Sequence, residues 1–494
     1  MSKTIHLTAT DGTPVEFVDD VIGSGAMKEV YFSPDKSYVV AFFIKPQDSN
    51  SKERLQNITG VYRTRIFEQE GGEYWKNLFC WPTKMVEWKE KGKVGIVCPT
   101  YQKYFYFDSG KFKGKEKEGK WFASAKLRNR FLEPEQKGTW LNHFHMCLQI
   151  ARAVRRMHAA GLAHSDLSYK NVLVDPQTGC ASIIDIDGLV VPGKFPPDVV
   201  GTPDFIAPEV LSTRSVKLGD PAKCLPGIKT DRHALAVLIY MYLLYRHPLR
   251  GGKVNDVSDP QRDEELSMGA KALFIEHPKD KSNRPKVDQL SPAELPQGDV
   301  NKLPYTICGP YLKGLFDRAF IEGLHDPAKR PTAAEWEDAL IKTTDLIQPC
   351  QNPKCAAKWF VFDNSRRPRC PFCGTEYHGQ LPVLNLYYSP RKGVFKPENY
   401  RLMVYDKQSL YKWHTNRFVV PNERISAEDK KPVGDFHFLK GRWVLINRRL
   451  ESLYDKDTDQ KIEKGSYVEL TDGKKILLET EDGGRLIVVQ LVSN

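Results

Sequence analysis

The stretch HAAGLAHSDLSYKN, residues 158–171, decides the fold that this sequence predicts. Two further polar clusters follow it along the chain, IIDIDG at 183–188 and GTPDFIAPE at 201–209. Apolar segments flank all three clusters, a pattern typical of polar loops that are carried on buried strands and helices. The order and separation of the clusters are together more specific than any one of them alone.

The clusters contain the residue types that transfer of a γ-phosphoryl group requires. Such a transfer needs an acceptor for the hydroxyl proton of the substrate, oxygen ligands for Mg²⁺, and a surface on which the acceptor lies. Asp166 is placed for the first task, Asn171 and Asp185 for the second, and residues 201–209 for the third. Mn²⁺ would suit the same oxygen ligands.

The three clusters resemble, in this order, the catalytic loop (158–171), the magnesium loop (183–188) and the activation segment (201–209) of the eukaryotic-type protein kinases. The resemblance implies a multidomain α+β chain with a bilobal kinase fold. Its N-lobe is expected at 1–101 and its C-lobe at 102–345, with a basic insertion at 108–138. It also implies an enzyme that uses ATP and Mg²⁺ to phosphorylate protein substrates, including itself, with serine and threonine favoured over tyrosine as acceptors.

Two departures from the kinase pattern concern the catalytic loop. Ser165 replaces an arginine that in many kinases pairs with a phosphate on the activation segment, and residues 186–201 contain no Ser, Thr or Tyr. We therefore expect that activity does not require phosphorylation of this segment. Ser168 replaces the lysine of serine/threonine kinases, so Lys170 is the residue expected to reach the γ-phosphate, as an arginine does there in tyrosine kinases.

The magnesium loop also departs from the family's Asp-Phe-Gly. Its spacing from Asn171 favours Asp185 as the metal ligand, which leaves Asp187 where the family has glycine. Ile186 replaces the phenylalanine of the family pattern, so we do not expect a switch in which an aromatic ring moves into and out of the site.

Three residues are expected to be structural rather than catalytic. Glu209, at the end of the activation segment, needs a buried cationic partner, and Arg330 occupies the family's place for it. Asp231 begins a long apolar stretch and matches the helix aspartate that ties down the catalytic loop. Small-molecule kinases of the same fold lack the activation segment found at 201–209, so a small-molecule phosphotransferase is disfavoured.

A glycine-containing loop marks the expected phosphate site of the N-lobe. Gly23 and Gly25 lie between two alternating strands, where the backbone can cover a triphosphate, although Gly-Ser-Gly also suits an ordinary hairpin turn. Lys28 stands where the family has a third glycine, so we expect charge as well as backbone to hold phosphate there.

The resemblance also implies a phosphate-binding lysine. Lys45 ends the apolar segment YVVAFFIK and is expected to contact the α- and β-phosphates. A helix-borne glutamate should hold this lysine, and the sequence leaves two candidates open, Glu68 and Glu70.

Four cysteines form two pairs with the spacing of a zinc ribbon, which is predicted at 346–380. The pairs are Cys350 with Cys355 and Cys370 with Cys373, fourteen residues apart. Four thiolates can hold one structural Zn²⁺ and leave no open position for catalysis. His378 is a reserve ligand only.

Residues 381–494 are predicted to form a β-sandwich. Alternating apolar and polar residues recur through this segment, and Arg417, His437 and Trp443 fall in an order that resembles a divergent forkhead-associated (FHA) domain. FHA domains use a serine and an asparagine on their loops to bind phosphopeptides, and this sequence has Gly434 and Ser452 at those positions. A general protein-interaction role is therefore favoured over phosphopeptide binding.

Composition restricts the remaining classes. The 494 residues carry a net charge of +11, which is mild for this length and suits a solvated surface, so nucleic acid is not an expected partner. The longest apolar run, 234–245, is shorter than the roughly 20 residues of a membrane-spanning helix, and no secretory signal is evident. The sequence therefore predicts a cytoplasmic protein without a membrane segment.

A closer resemblance is to bacterial kinases of tellurite-resistance and stress gene clusters. It rests on the non-arginine catalytic loop, the IIDIDG cluster and the appended cysteine ribbon. It implies two partners, a von Willebrand A-type protein and a PPM-type phosphatase. The alternative is a pseudokinase scaffold that binds nucleotide without transferring phosphate.

Overall fold

The computed structural model describes residues 3–25, 27–68, 71–191, 194–195, 201–391 and 393–493, and the following account refers to these. The chain divides into two compact units. The first unit comprises Met1–Gly138, Asn142–Tyr305 and Gly314–Glu337. The second unit comprises Thr139–Leu141, Thr306–Lys313 and Asp338–Asn494, so the predicted ribbon and sandwich both fall within it.

The strands of the first unit precede and follow a helical segment. They are β1 (Thr4–Thr8), β2 (Pro14–Val18), β3 (Val21–Ser24), β4 (Lys28–Phe32), β5 (Tyr38–Phe43), β6 (Lys84–Trp88), β7 (Lys93–Pro99), β8 (Val172–Asp175) and β9 (Cys180–Ile183).

The α-helices of the chain are short except for two. They are α1 (Ser49–Asn57), α2 (Arg63–Phe67), α3 (Gly72–Lys76), α4 (Ala125–Phe131), α5 (Trp140–Ala159), α6 (Pro208–Ser212), α7 (Ile228–Leu244), α8 (Pro260–Met268), α9 (Pro310–Asp317), α10 (Ala333–Thr344) and α11 (Lys412–Thr415).

An antiparallel sheet with the order β3-β4-β5-β7-β6 forms the first part of the first unit. One of its faces packs against the β1-β2 hairpin through a cluster of aromatic rings, in which Phe17, Phe42 and Trp88 lie 5.1–5.3 Å apart. Helix α1 covers the other face, where Leu55 joins a core cluster with Ala41 and Phe43. Because side chains along β5 alternate between the two faces of the sheet, they pack into two separate cores, one on each face.

Helix α7 is the centre of the helical part of the first unit. The helix is apolar on all sides from Ala234 onward, and its residues from 233 to 244 are buried. A helix that is hydrophobic all round must lie in a protein core or a membrane. The burial of these residues confirms the predicted buried helix. No helix within the described ranges is long and apolar enough to cross a membrane.

The basic insertion folds back onto the first unit. Phe112 and Phe122 are buried there, and the ring centres of Phe112 and Trp121 lie 4.2 Å apart. The ammonium of Lys117 is 2.6 Å from the carboxylate of Asp175 in a buried ion pair. The aromatic residues of the insertion therefore stabilise its own fold.

The second unit is rich in strands. They are β10 (Ile347–Pro349), β11 (Trp359–Val361), β12 (Gln380–Arg391), β13 (Val394–Met403), β14 (Ser409–Leu410), β15 (Gly434–Leu439), β16 (Arg442–Asn447), β17 (Tyr454–Asp455), β18 (Gln460–Lys461), β19 (Tyr467–Glu469), β20 (Lys475–Leu477) and β21 (Arg485–Ser493).

Most of these strands belong to two antiparallel sheets. One has the order β13-β12-β21-β20-β17-β18 and the other β14-β15-β16-β19. Leu384 and Ile487 of the first sheet share a buried core with Phe436 and Leu445 of the second. The likeness of this arrangement to an FHA domain stays a prediction.

A buried ion pair joins the end of the activation segment to the turn before α10. The guanidinium of Arg330 donates to both carboxylate oxygens of Glu209, at 2.8 and 2.7 Å, and also to the carbonyl of Gly323 at 2.8 Å. The Arg330 side chain is 1% exposed. The structure thus contains the pair that the sequence indicated.

Removing one member of this pair should destabilise the first unit strongly. Arg330→Met leaves the Glu209 carboxylate without its cation, and loss of one partner of a buried pair costs about 3–5 kcal/mol. The exposed pair of Arg318 with Glu335 is the control, because Arg318→Met should cost less than about 1 kcal/mol. Urea unfolding measures both, and equal losses would contradict the buried role.

Candidate active site

The catalytic loop is held by the carboxylate of Asp231, at the start of α7. One oxygen accepts the backbone N–H of His164 at 2.7 Å, and the other accepts the backbone N–H of Ser165 at 3.1 Å. Ser165 has φ 68°, a conformation that a non-glycine residue adopts only where its surroundings enforce it. The Asp231 carboxylate therefore fixes the backbone immediately before Asp166.

Asp166 lies at the meeting point of the catalytic loop and the activation segment. Its Oδ1 accepts the backbone N–H of Thr202 at 2.6 Å, and its Oδ2 accepts the side-chain amide of Asn171 at 3.0 Å. The same amide donates to the backbone carbonyl of Asp166 at 2.8 Å. Because the amide nitrogen of Asn171 is used in this way, its oxygen is the atom left to bind a cation.

The end of the activation segment packs on the catalytic loop. The hydroxyl of Thr202 donates to that of Ser168 at 3.3 Å, and the hydroxyl of Tyr169 donates to Asp204 at 3.1 Å. The rings of Tyr169 and Phe205 meet edge to face, 4.9 Å between centres. Residues 202–205 therefore form a fixed surface beside Asp166.

The magnesium loop is tied to the catalytic loop through the backbone of Ile184. Its N–H donates to the carbonyl of Asn171 at 3.0 Å, and its carbonyl lies 2.9 Å from Nε2 of His164. The next residue, Asp185, is left-handed, with φ 60° and ψ 48°. Ile186 is buried, so the loop is anchored directly after the candidate metal ligand.

Lys28, on β4, bridges both carboxylates of the magnesium loop. Its Nζ lies 2.8 Å from Oδ1 of Asp185 and 2.7 Å from Oδ1 of Asp187. Burial alone would lower the pKa of Lys28, but the negative charges of Asp187 and Asp185 outweigh burial and raise that pKa. Burial raises the pKa of Asp187, whereas at Asp185 the Lys28 ammonium outweighs burial and lowers the pKa.

A cleft of about 430 Å³ lies between the sheet and the magnesium loop. Its volume falls within the range of roughly 300–1,000 Å³ that is usual for small-molecule sites. The wall combines apolar strand residues with a few charged ones, which suits a flat base at one end and phosphates at the other. The lining residues include Ile22, Gly23, Lys28, Val30, Val39, Ala41, Cys98, Tyr101, Tyr106, Glu116, Asp185 and Asp187.

The structure brings some of the other predicted residues to this cleft but not all. Gly23 lines it, and the N–H of Gly25 closes the adjoining hairpin by donating to the carbonyl of Lys28 at 3.0 Å. Lys45 is exposed, two residues beyond the last residue of β5, and does not line the cleft. Lys170 is also exposed, on the catalytic loop.

Glu68, one of the two predicted glutamate partners, forms no ion pair with a lysine among the described residues. Glu68 is exposed at the end of α2, where its carboxylate lies 3.4 Å from the Thr64 hydroxyl. Glu70 lies outside the described residues.

The interaction of Lys28 with Asp187 is the part of the site that sequence reasoning missed. A signal for it was present in two departures from the kinase pattern. A lysine replaces the third glycine of the phosphate loop, and an aspartate replaces the glycine of the magnesium loop. The two replacements are opposite in charge, as expected for residues that contact each other.

The four paired cysteines converge in the second unit. The Sγ atoms of Cys350, Cys355, Cys370 and Cys373 all lie within 4.8 Å of one another, and His378 is not part of the group. The cross-pair distances are 3.5 Å from Cys350 to Cys373 and 3.8 Å from Cys355 to Cys370. Sulfurs about 2.3 Å from a tetrahedral Zn²⁺ lie about 3.8 Å apart, so this donor set fits zinc.

Comparisons with known proteins agree with the site geometry. The protein kinase domain family model matches residues 124–338, so this part of the chain is similar to protein kinase domains. Two similar proteins are the serine/threonine-protein kinases PSK2 of Saccharomyces cerevisiae and PknD of Chlamydia felis, each 31% identical over 150 residues.

The matched regions are small parts of those relatives. The alignments cover 29% and 26% of this chain but 12% of PSK2 and 14% of PknD. Among solved structures, ROP2 of Toxoplasma gondii, described as a virulence factor with a protein-kinase fold and no enzymatic activity, matches with a TM-score of 0.43. The identity is 14%, over 69% of this chain and 84% of that one.

Truncation of the Asp231 side chain should loosen the catalytic loop. Asp231→Ala leaves the buried N–H of His164 and the partly buried N–H of Ser165 without their acceptor, and a buried group left in this way costs about 1–3 kcal/mol. We expect faster hydrogen exchange at His164 and Ser165 and a lower free energy of unfolding. Asp288→Ala, at an exposed position, is the control and should change neither. Unchanged exchange at His164 would contradict this role.

Proposed function

We propose that this chain is an ATP- and Mg²⁺-dependent protein kinase. The observation that carries the proposal is the position of Asp166, whose carboxylate contacts Asn171 on one side and Thr202 on the other. These contacts support a role for Asp166 as the proton acceptor, between a cation ligand and the surface on which an acceptor segment can lie. The cleft between the sheet and the magnesium loop has the size and lining for a nucleotide.

Each residue of the site has a role in this proposal. Asp166 orients the hydroxyl of the acceptor and takes its proton. The amide oxygen of Asn171 and the carboxylate of Asp185 would hold Mg²⁺, which neutralises charge on the transferred phosphate when it is bound. Lys170, exposed beside them, is proposed to reach the γ-phosphate.

Serine and threonine are the proposed acceptors. The printed names of PSK2 and PknD describe serine/threonine kinases, which supports this choice. The protein substrates remain a proposal, as do autophosphorylation, a cytoplasmic location and the two partners implied by the tellurite-cluster resemblance. Those partners are a von Willebrand A-type protein and a PPM-type phosphatase.

We also propose that the site does not depend on phosphorylation of the activation segment. Ser165 supplies no cation for a phosphate, and the Asp231 carboxylate already holds the loop. Protein treated with a phosphatase and then freed of it should keep its initial rate of transfer. Loss of that rate, restored when Thr202 of the activation segment is phosphorylated again, would refute this part of the proposal.

The kinase proposal is tested by transfer of radiolabelled γ-phosphate from ATP with Mg²⁺. The acceptors are the protein itself and a generic basic protein substrate. Asp166→Ala and Asp185→Asn should each reduce transfer by at least about a hundredfold, because each removes a group that acts at the reacting atoms. Asp288→Asn is the matched surface control and should retain activity.

The pseudokinase alternative gives a different result. A scaffold would bind ATP with no phosphate transfer in the wild-type protein, and Asp166→Ala would then leave its behaviour unchanged. Transfer that persists in Asp166→Ala would also contradict the proposal, since it would point to a contaminating kinase.

For the second unit we propose a structural Zn²⁺ held by the four cysteines. The sulfur distances support it, and four thiolate ligands leave no open position for substrate. Native mass spectrometry should find one zinc per chain, and Cys370→Ser should lose it. Cys180→Ser, outside the cluster, should retain it. Zinc-free protein after purification with zinc present would overturn this proposal.

A further inference from the structure

We propose that Lys28, and not Lys45, is the lysine that binds the nucleotide phosphates, and that Asp187 is the carboxylate that holds it. The inference rests on the proposed function and names the residues that anchor the nucleotide. It replaces a lysine that follows β5 and a glutamate on a helix by a lysine on β4 and an aspartate in the magnesium loop.

The register of the sheet explains why a lysine on β4 can take the place of a lysine on β5. Lys28 on β4 pairs directly with Phe43 on β5. Directly opposite residues of an antiparallel pair place their side chains on the same face. That face lines the cleft, as Val30 on β4 and Ala41 on β5 show. A lysine at 28 therefore reaches the region that a lysine at 43 would reach.

Phe43 occupies the cleft-facing position at the end of β5. Its side chain is 6% exposed and packs with Leu55 of α1, so it belongs to the core and cannot bind phosphate. The Nζ of Lys28 lies 5.5 Å from the centre of the Phe43 ring. The Lys28 side chain thus passes the ring on its way to the magnesium loop, whereas Lys45 lies beyond the end of the strand.

The charges around Lys28 support the same conclusion. Its side chain is 19% exposed and that of Asp187 is 12% exposed, so each would be costly to bury alone. Asp185 is 50% exposed and accepts from the same ammonium. Within the described part of 49–68, no glutamate lines the cleft, and Glu53 pairs with Lys194 instead.

The position of the ammonium suits a phosphate anchor. Gly23, Lys28 and Asp185 line the same cleft, and the Nζ of Lys28 lies 2.8 Å from Asp185, so a triphosphate that reached from Gly23 to Asp185 would end beside this ammonium. The ammonium has three donors, of which Asp185 and Asp187 each accept one, so one donor is left for a phosphate oxygen. A fixed positive charge there stabilises the phosphate oxygens in the bound and transferring states.

The test compares lysine variants in nucleotide binding and in transfer. Lys28→Met, Lys45→Met and Lys89→Met each remove one positive charge, and Lys89 is an exposed control in the turn between β6 and β7. Binding of a fluorescent ATP analogue with Mg²⁺ gives Kd, and the transfer assay gives kcat and KM for ATP. Thermal melting and far-UV circular dichroism check that each variant is folded.

Lys28→Met should weaken analogue binding at least about tenfold and lower kcat/KM by about a hundredfold or more, as for loss of one charge donor at the reacting group. Lys89→Met should match the wild type, and Lys45→Met should lose far less than Lys28→Met. Asp187→Asn should weaken binding in the same direction, because it releases the lysine from its holding carboxylate.

Transfer of the lysine across the strand pair separates function from stability. In the double variant Lys28→Met with Phe43→Lys, the ammonium returns to the cleft from the opposite residue. We expect recovery of at least tenfold in kcat/KM over Lys28→Met. If Lys28→Met does not fold, Lys28→Gln and the double variant take its place in the comparison.

The outcomes distinguish this inference from the kinase proposal. If the wild type binds ATP without transfer, the kinase proposal fails, while the Kd values still decide between Lys28 and Lys45. If Lys45→Met loses binding and Lys28→Met retains it, the inference is overturned. It is also overturned if folded Lys28→Met and Lys28→Gln bind and transfer as the wild type does.

Discussion

The two hydrogen bonds from the catalytic-loop backbone to Asp231 are the constraint on which the rest of the site depends. They hold Ser165 in a conformation that it would not otherwise keep. Asp166 follows directly, and its carboxylate in turn receives Thr202 and Asn171. A buried carboxylate on the most apolar helix of the first unit thus determines where the acceptor surface and the cation ligand lie.

The site also shows how charge can be redistributed without changing the fold of the sheet. Phe43, at the end of β5, packs in the hydrophobic core, and Lys28 supplies a cation from the paired strand β4. Asp187 supplies the matching anion from a position where glycine would be expected. Both replacements keep the charged groups near Asp185 while leaving α1 free to pack through apolar side chains.

Much of the first unit could be predicted from spacing along the chain. The separations of Asp166, Asn171 and Asp185 fall within one continuous segment, so local geometry brings them together. Lys45 was a different case, because its role depended on strand register, which a glycine loop and an apolar strand do not specify. Contacts between distant residues were predictable only where a resemblance supplied them, as for Glu209 with Arg330.

Lys28 belongs to the β3-β4 hairpin on one side of the cleft, and the two carboxylates that it contacts, those of Asp185 and Asp187, belong to the magnesium loop on the other side. Any separation of the hairpin from the magnesium loop must therefore pull apart opposite charges that are partly shielded from water. The same contact reports how far the cleft is closed. A partner that displaced the hairpin would act on it directly, whereas one that only shifted α1 would not touch either charge.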